Sequence, residues 1–256
     1  MTIQFVDDTR LQIHPHGGLT GCWYVGLPEY EEMVFLLRLL RPSDVFYDIG
    51  ANAGAFTILA ASRDCTVFAF EPVPQTFAEL KANAELNQQF GAISVENLAL
   101  GATSGTLRMT TDQGTGNRVC RDGESAPSVE VRVTTLDAFA EEHRYPTIIK
   151  MDVEGHELEV IRAALSVLAR VELSALLVET FRPHNFGKPK LQEIERILSE
   201  FGFRAFDYDP HANSLRELHR VDEGAQDTLY LRDASGIQAR LRSSTFDLSR
   251  WGIPTI

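Results

Sequence analysis

An aspartate, two glycines and an asparagine stand at two-residue intervals in "VFYDIGANAGAF" (45–56): Asp48, Gly50, Asn52 and Gly54. The apolar run that carries Asp48 reads as a buried strand, and the Ala-rich run from Ala55 to Ser62 as a short helix. Glycines at such a turn let the backbone bend sharply and approach a ligand, and the helix start offers free amides. Two kinds of ligand compete for this geometry. A dinucleotide wants Gly-x-Gly-x-x-Gly, whose second glycine admits the pyrophosphate. Here Asn52 takes that glycine's place, and Asp48 sets a carboxylate near where the phosphates would lie. Both features disfavour a pyrophosphate and hence a nicotinamide-dependent oxidoreductase. A ligand with no phosphate and a cationic amino-acid end suits them better, and S-adenosylmethionine is one. Glu71 closes the next apolar run, "TVFAFE", 21 residues past Gly50. An acid at that place receives ribose hydroxyls; alone it could equally cap the following helix, but the loop at correct spacing favours the ribose.

A second group of chemical residues lies in "TIIKMDVEGHELE" (147–159). Alternation along a strand puts Lys150 and Asp152 on one face, and Asp152 is expected beside Asp48, where cofactor and substrate meet. Glu154 and Glu157 stand at a helix start, where the dipole alone favours carboxylates. His156 can take a proton from a substrate hydroxyl if its imidazole is neutral, although a first-turn histidine is also commonly just solvated. Glu179 ends the strand "ALLVETF" on the same side, and His184 follows in "TFRPHNFGK" as a loop histidine. Asp152, Glu154 and Glu179 would suit a hard cation such as magnesium, but nothing in their spacing requires one, and no metal is expected.

These residues need a scaffold, and strands alternate with helices to supply it. "VFYDI", "TVFAFE", "ISVENLAL" (93–100), "TIIKMD", "ALLVETF", "FRAFDYD" and "DTLYLR" read as strands. Helices are expected after Pro74 (Phe77, Leu80, Ala84 on one face), over 155–169 (Leu158, Ile161, Leu165, Leu168) and over 190–202 (Leu191, Ile194, Leu198, Phe201). "TLRMT" (106–110) and "VEVRVTTL" (129–136) alternate with period two and suggest an inserted hairpin. The polar loop of 111–128 between them is long for a compact domain; it either closes over a substrate or is plain surface. The pattern is that of an α/β, doubly wound, mostly parallel sheet. Residues 1–43 read as an N-terminal extension ending in a helix (Met33, Leu36, Leu37, Leu40), 44–235 as the main domain, and 236–256 as a tail with Phe246 and Trp251 but no clear period.

Composition narrows the function classes. With 44% hydrophobic and 23% charged residues the profile is that of an ordinary globular protein. A net charge of -12 argues against nucleic acid or an anionic membrane as partner, since both need a positive footprint. Cys22, Cys65 and Cys120 are odd in number and widely spaced, which implies free thiols rather than a disulfide framework or a zinc site. "MTIQFVDDTR" has acids where a signal peptide has bases, and no run approaches the ~18 apolar residues of a membrane span, so a cytoplasmic protein is expected. Oligomeric state stays open.

The segments "FYDIGANAGAFTILAA", "VFAFEPVPQTFAELKANAELN", "NLALGATSGTL" and "TIIKMDVEGHELEVIRAAL" together resemble FkbM-type S-adenosylmethionine-dependent methyltransferases over about residues 27 to 232. The resemblance implies a Rossmann-like class I methyltransferase fold, with a seven-stranded sheet and one antiparallel edge strand. It implies O-methylation of a small metabolite or sugar. Carried over by position, Asp48, Gly50, Asn52 and Gly54 would hold the methionyl part of S-adenosylmethionine, Glu71 the ribose, and Asn97 with Ala99 the adenine. Asp152 joins them at the junction with the acceptor. For catalysis, Glu179 and His156 are the candidate bases and Lys150 the orienting partner. The expected partner is a small-molecule acceptor bearing a hydroxyl. A non-catalytic binder of the same cofactor and an N-methyltransferase are the alternatives.

Overall fold

A computed structural model describes residues 1–14, 17–121, 123–180, 188–219 and 227–249. The chain opens with a short hairpin, β1 (Thr2–Gln4) and β2 (Arg10–Gln12), followed by α1 (Thr20–Val25) and α2 (Tyr30–Leu39). Then come β3 (Val45–Ile49), α3 (Ala55–Ala61), β4 (Thr66–Phe70), α4 (Pro74–Leu86), β5 (Ala92–Glu96), β6 (Ala99–Leu100), β7 (Gly105–Thr110) and β8 (Ser128–Thr134). The second half holds α5 (Leu136–Glu142), β9 (Ile148–Met151), α6 (Glu157–Arg162), α7 (Leu165–Leu168), β10 (Ala175–Glu179) and α8 (Lys188–Glu200). It closes with β11 (Arg204–Asp209), β12 (Ser214–Glu217), β13 (Asp227–Leu231) and α9 (Ala234–Arg242).

Among the described residues the main sheet has eight strands, ordered β12-β11-β13-β10-β9-β3-β4-β5. β10, β9, β3, β4 and β5 run parallel, whereas β13 runs antiparallel to both of its neighbours. Alternation then sends each strand's side chains to two cores. Phe46, Val67, Ile148 and Leu177 join α2, α3 and α9 on one face; Tyr47, Phe68, Ile149 and Leu176 join α5 to α8 on the other. This is the doubly wound α/β arrangement expected.

Three details depart from the expectation. The sheet has eight strands rather than seven, because β12 folds back on β11 through Asn213 (φ 47°) and forms the antiparallel edge, while β13 is interior, inserted antiparallel between β10 and β11. "ISVENLAL" is two strands in two sheets, not one. Asn97 Nδ2 donates to the Glu71 and Pro72 carbonyls (2.9 Å each), and beyond it the chain leaves the main sheet to pair as β6 with β8. The helix expected over 155–169 is broken into α6 and α7, with Ala163 and Ala164 carrying ψ of 22° between them. The inserted hairpin is present as β7 and β8, antiparallel, with β6 completing a three-stranded sheet. The tail contributes α9, whose Ile237 and Leu241 are buried, a helix the sequence pattern did not suggest. Trp251 and His184 lie outside the described residues.

The N-terminal hairpin is stitched onto α4. Asn83 Oδ1 accepts from Gln12 N (2.6 Å) and Asn87 Oδ1 from Arg10 N (2.9 Å), while Asn83 Nδ2 donates to Ala53 O (2.9 Å). Asn83 and Asn87 are fully buried, so these amides satisfy strand-edge groups that would otherwise be lost to water at a cost. The same bonds anchor the loop that holds Asn52. Cys22, Cys65 and Cys120 are all free thiols. No helix among the described residues is long and apolar enough to cross a membrane.

Candidate active site

The carboxyl ends of β3, β4, β9 and β10 open into one cavity of about 300 Å3. Strand register explains the convergence: Asp48 pairs with Lys150 across the parallel strands β3 and β9, and Glu179, last in β10, with Asp227, first in the antiparallel β13.

The loop after β3 is held from two sides. Gly50 N and Ala51 N donate to Phe70 O (3.0 and 2.9 Å), and Asn52 N donates to Glu71 Oε2 (3.1 Å). Gly50 has φ 83°, and a Cβ there would run into the carbonyl of Asp152. Gly54, at φ 97°, precedes α3, and a Cβ there would crowd Leu80 Cδ1, at 2.8 Å, with Thr57 Cβ at an ordinary 3.7 Å. Asn52 itself takes φ 50°, a conformation asparagine tolerates better than most side chains. The glycines are therefore required by strand proximity and turn geometry, and Gly54 is not among the described residues lining the cavity.

Asp48 is 1% exposed. Its Oδ2 accepts from the Thr57 hydroxyl at 2.6 Å, while Oδ1 has no hydrogen-bond partner among the described residues. Burial raises its pKa, opposed by the nearby Lys150. Glu71 uses both oxygens on backbone: Oε1 accepts from Val73 N (2.8 Å) and Oε2 from Asn52 N. Burial still pushes it up to about 7, because those bonds only partly offset the loss of water. Asn97 is not among the described residues that line the cavity; it stands behind, fixing the strand end, whereas Leu98, Ala99 and Leu100 face inward. Leu107 and Met109 from β7, with Val119 from the long loop, give the same side an apolar wall. That loop reaches the cavity with Gly114, Thr115, Asn117 and Val119, and Thr115 meets Gly18 beside Asn52.

At the other end stands Lys150, 3% exposed. Its Nζ donates to Asp152 Oδ2 at 3.2 Å and lies 4.5 Å from the Phe56 ring centroid, as strand alternation and the cation–π attraction both allow. Burial works against its charge, but Asp152, then Glu29, Asp227 and Asp48, hold it protonated above the ordinary lysine range. Asp152, Glu154 and Glu179 bring carboxylate oxygens within 4.8 Å of one another, and each has further interactions of its own. Glu154 and Gly155 both take positive φ (57° and 94°), turning the chain from β9 into α6. Glu157 closes that turn from inside: fully buried, its Oε1 accepts from Val153 N (3.0 Å) and Gly155 N (3.2 Å), a structural role. His156 lies against Gly101 and 3.9 Å from Glu159; burial lowers its pKa and so favours the neutral ring, opposed by Glu159.

Two charged lining residues were not anticipated. Glu29, just before α2, and Asp227, first residue of β13, both face Lys150. Asp227 was legible in principle, since an antiparallel strand begins at the rim where its parallel neighbours end. Glu29 carried no such signal, because it depends on how the N-terminal segment folds over the sheet.

Residues 48–205 match the family model described as "Methyltransferase FkbM domain". The chain is 29% identical over 177 residues to the hexuronic acid methyltransferase AglP of Haloferax volcanii, spanning 67% of this chain and 68% of that protein. It is 44% identical over 73 residues to the 31-O-demethyl-FK506 methyltransferase FkbM of Streptomyces tacrolimicus, a match to only 28% of this chain and 27% of that protein. Among solved structures it resembles the methyltransferase FkbM of Methylobacillus flagellatus, with a TM-score of 0.51 at 16% identity over 75% of this chain and 44% of that one. At that identity the likeness is one of fold.

Proposed function

The chain belongs to the FkbM methyltransferase family, and we propose that it uses S-adenosylmethionine to methylate a hydroxyl of a small acceptor. The observation that carries this reading is Asp48 in the cavity wall, a buried carboxyl whose Oδ1 has no hydrogen-bond partner among the described residues. An ammonium completes that site; a phosphate would be repelled from it. Glu71 keeps lone pairs beyond its two backbone bonds, which supports its receiving ribose hydroxyls, since a carboxylate accepts at about four positions. Leu98, Ala99, Leu107 and Met109 offer an apolar slot of the kind a purine fills.

When bound, the cofactor would supply an electrophilic sulfonium methyl for in-line transfer to an acceptor oxygen, with the thioether S-adenosylhomocysteine leaving and the hydroxyl proton passing to a base. The chain's own contribution is position and proton handling. Asp48 and Asp152 fix the two sides of the junction, and Lys150 aims Asp152 through their ion pair. Glu179, buried at the end of β10, is favoured over His156 as base, because His156 packs towards Gly101 on the side of the apolar slot. The relatives named for hexuronic acid and for 31-O-demethyl-FK506 support oxygen as the accepting atom.

Calorimetric titration tests the reading. S-adenosylmethionine should bind saturably and NAD should not, and Asp48→Asn, which sets an amide N–H2 in place of a carboxylate oxygen, should weaken binding at least tenfold. Binding of NAD alone, or of neither, refutes it. Binding followed by methyl transfer to hydroxylated acceptors separates an enzyme from a binder, and the atom methylated separates oxygen from nitrogen transfer.

A further inference from the structure

The acceptor end of the cavity has a chemistry of its own, and it comes from parts of the chain outside the family match of 48–205. Glu29 precedes α2 and Asp227 opens β13. Both line the cavity, and neither carboxyl has a hydrogen-bond or ion-pair partner among the described residues. Lys150 is the one lysine or arginine among the described lining residues. Its ammonium is already committed to Asp152 at 3.2 Å and to the Phe56 ring. A carboxylated acceptor would thus meet two further carboxylates and no uncommitted cation from this wall.

We propose that Glu29 and Asp227 select the acceptor, favouring a hydroxylated molecule that carries an ammonium group, such as an amino sugar, over a uronic acid. The proposal rests on the methyltransferase reading above and names the acceptor class for the same site. Two carboxyls flanking one cavity can receive an ammonium through charge-assisted hydrogen bonds, whereas a carboxylate brought to them is repelled. The protonation of Glu29 supports this: burial pushes it up to about 7, with Lys150 only partly opposing. An arriving ammonium supplies the missing counter-charge, so binding near neutral pH expels a proton from Glu29.

The test uses the full chain saturated with S-adenosylhomocysteine and three probes: glucosamine, glucose and glucuronate, titrated calorimetrically to tens of millimolar. Glucosamine should bind at least about tenfold tighter than glucuronate, with glucose between them. Repeating the titration in buffers of different ionisation enthalpy should reveal proton release with glucosamine. In the double variant Glu29→Gln, Asp227→Asn the preference should shrink to about threefold or less, and in Glu29→Gln alone the proton release should vanish. Cooperative thermal unfolding shows that the variants fold. Glucuronate binding as tightly as glucosamine, an unchanged order in the double variant, or no glucosamine binding to a complex that does form overturns the proposal and leaves the methyltransferase reading standing. Failure of S-adenosylhomocysteine itself to bind removes that reading, and the proposal with it.

Discussion

Replacing Gly50 by alanine is expected to cost far more than replacing Gly54, although both glycines sit at positive φ in one short loop. At either position an L side chain in the left-handed region costs about 1–2 kcal/mol. At Gly54 the new methyl then meets only the tip of Leu80, Cδ1 at 2.8 Å, and a side-chain end can shift. At Gly50 it falls on backbone: the Asp152 carbonyl oxygen, with its carbon at 2.8 Å. That carbonyl cannot withdraw alone, because Asp152 N donates to Ile49 O at 2.9 Å and locks β9 to β3. Relief means parting the strand ends, which adds an overpacking strain of about 1–3 kcal/mol and about 1 kcal/mol for the lost hydrogen bond. Gly50→Ala should therefore lose about 3–6 kcal/mol and Gly54→Ala about 1–2, against a total stability of about 5–15 for a typical domain. Denaturant unfolding of the ligand-free chain, with m-values compared, measures both. Calorimetry adds a second reading, since moving Asp152 should abolish S-adenosylmethionine binding in the Gly50 variant alone. Equal destabilisation of the two variants would refute the reasoning.

Glu71→Gln keeps the size of the side chain but offers an amide N–H2 to one of two backbone donors, Asn52 N or Val73 N. It should lower the ligand-free stability by about 1–3 kcal/mol and weaken S-adenosylmethionine binding at least tenfold; a loss of affinity with unchanged unfolding would show that the backbone clamp is idle. The stability of the ligand-free chain should also fall as pH rises from 5 to 8. Glu71 and Glu157 are pushed by burial from an ordinary 4.5 to about 7 and about 8, so the folded state holds protons that the unfolded state has released. Each such group removes up to about 1.4 kcal/mol per pH unit inside its window, once pH exceeds its ordinary value and until it passes the raised one. Glu157→Gln should flatten the upper part of that slope, as unfolding midpoints across pH will show, and an unaltered slope would count against the assignment.

Much of the site was written in local pattern. Strand-to-helix switches at Asp48, Glu71 and Asp152 are marked by an apolar run, an acid and a glycine or proline. Parallel strands deliver such residues to one rim whatever else the fold does. Lys150 and Asp152 met because alternation is a property of any strand. Asn97 shows the limit of that reasoning: it stood at the right place in sequence but turned its amide to backbone carbonyls, so it supports the wall instead of forming it. Helix breaks and the crossing from β5 to β6 were likewise hidden, since apolar periodicity runs through both.

What the sequence alone determined was the α/β order, the acids and glycines at the strand ends, and the excess of acids, all set by spacing and composition within a few residues of each other. Only the tertiary structure decided that Glu29 from the N-terminal segment and Asp227 from the antiparallel strand would face Lys150, and that the loop bearing Thr115 would reach Asn52. Those contacts join residues far apart in the chain. They depend on strand register and on how the N-terminal segment packs over the sheet, quantities fixed by the summed burial of the whole core and carried by no local motif.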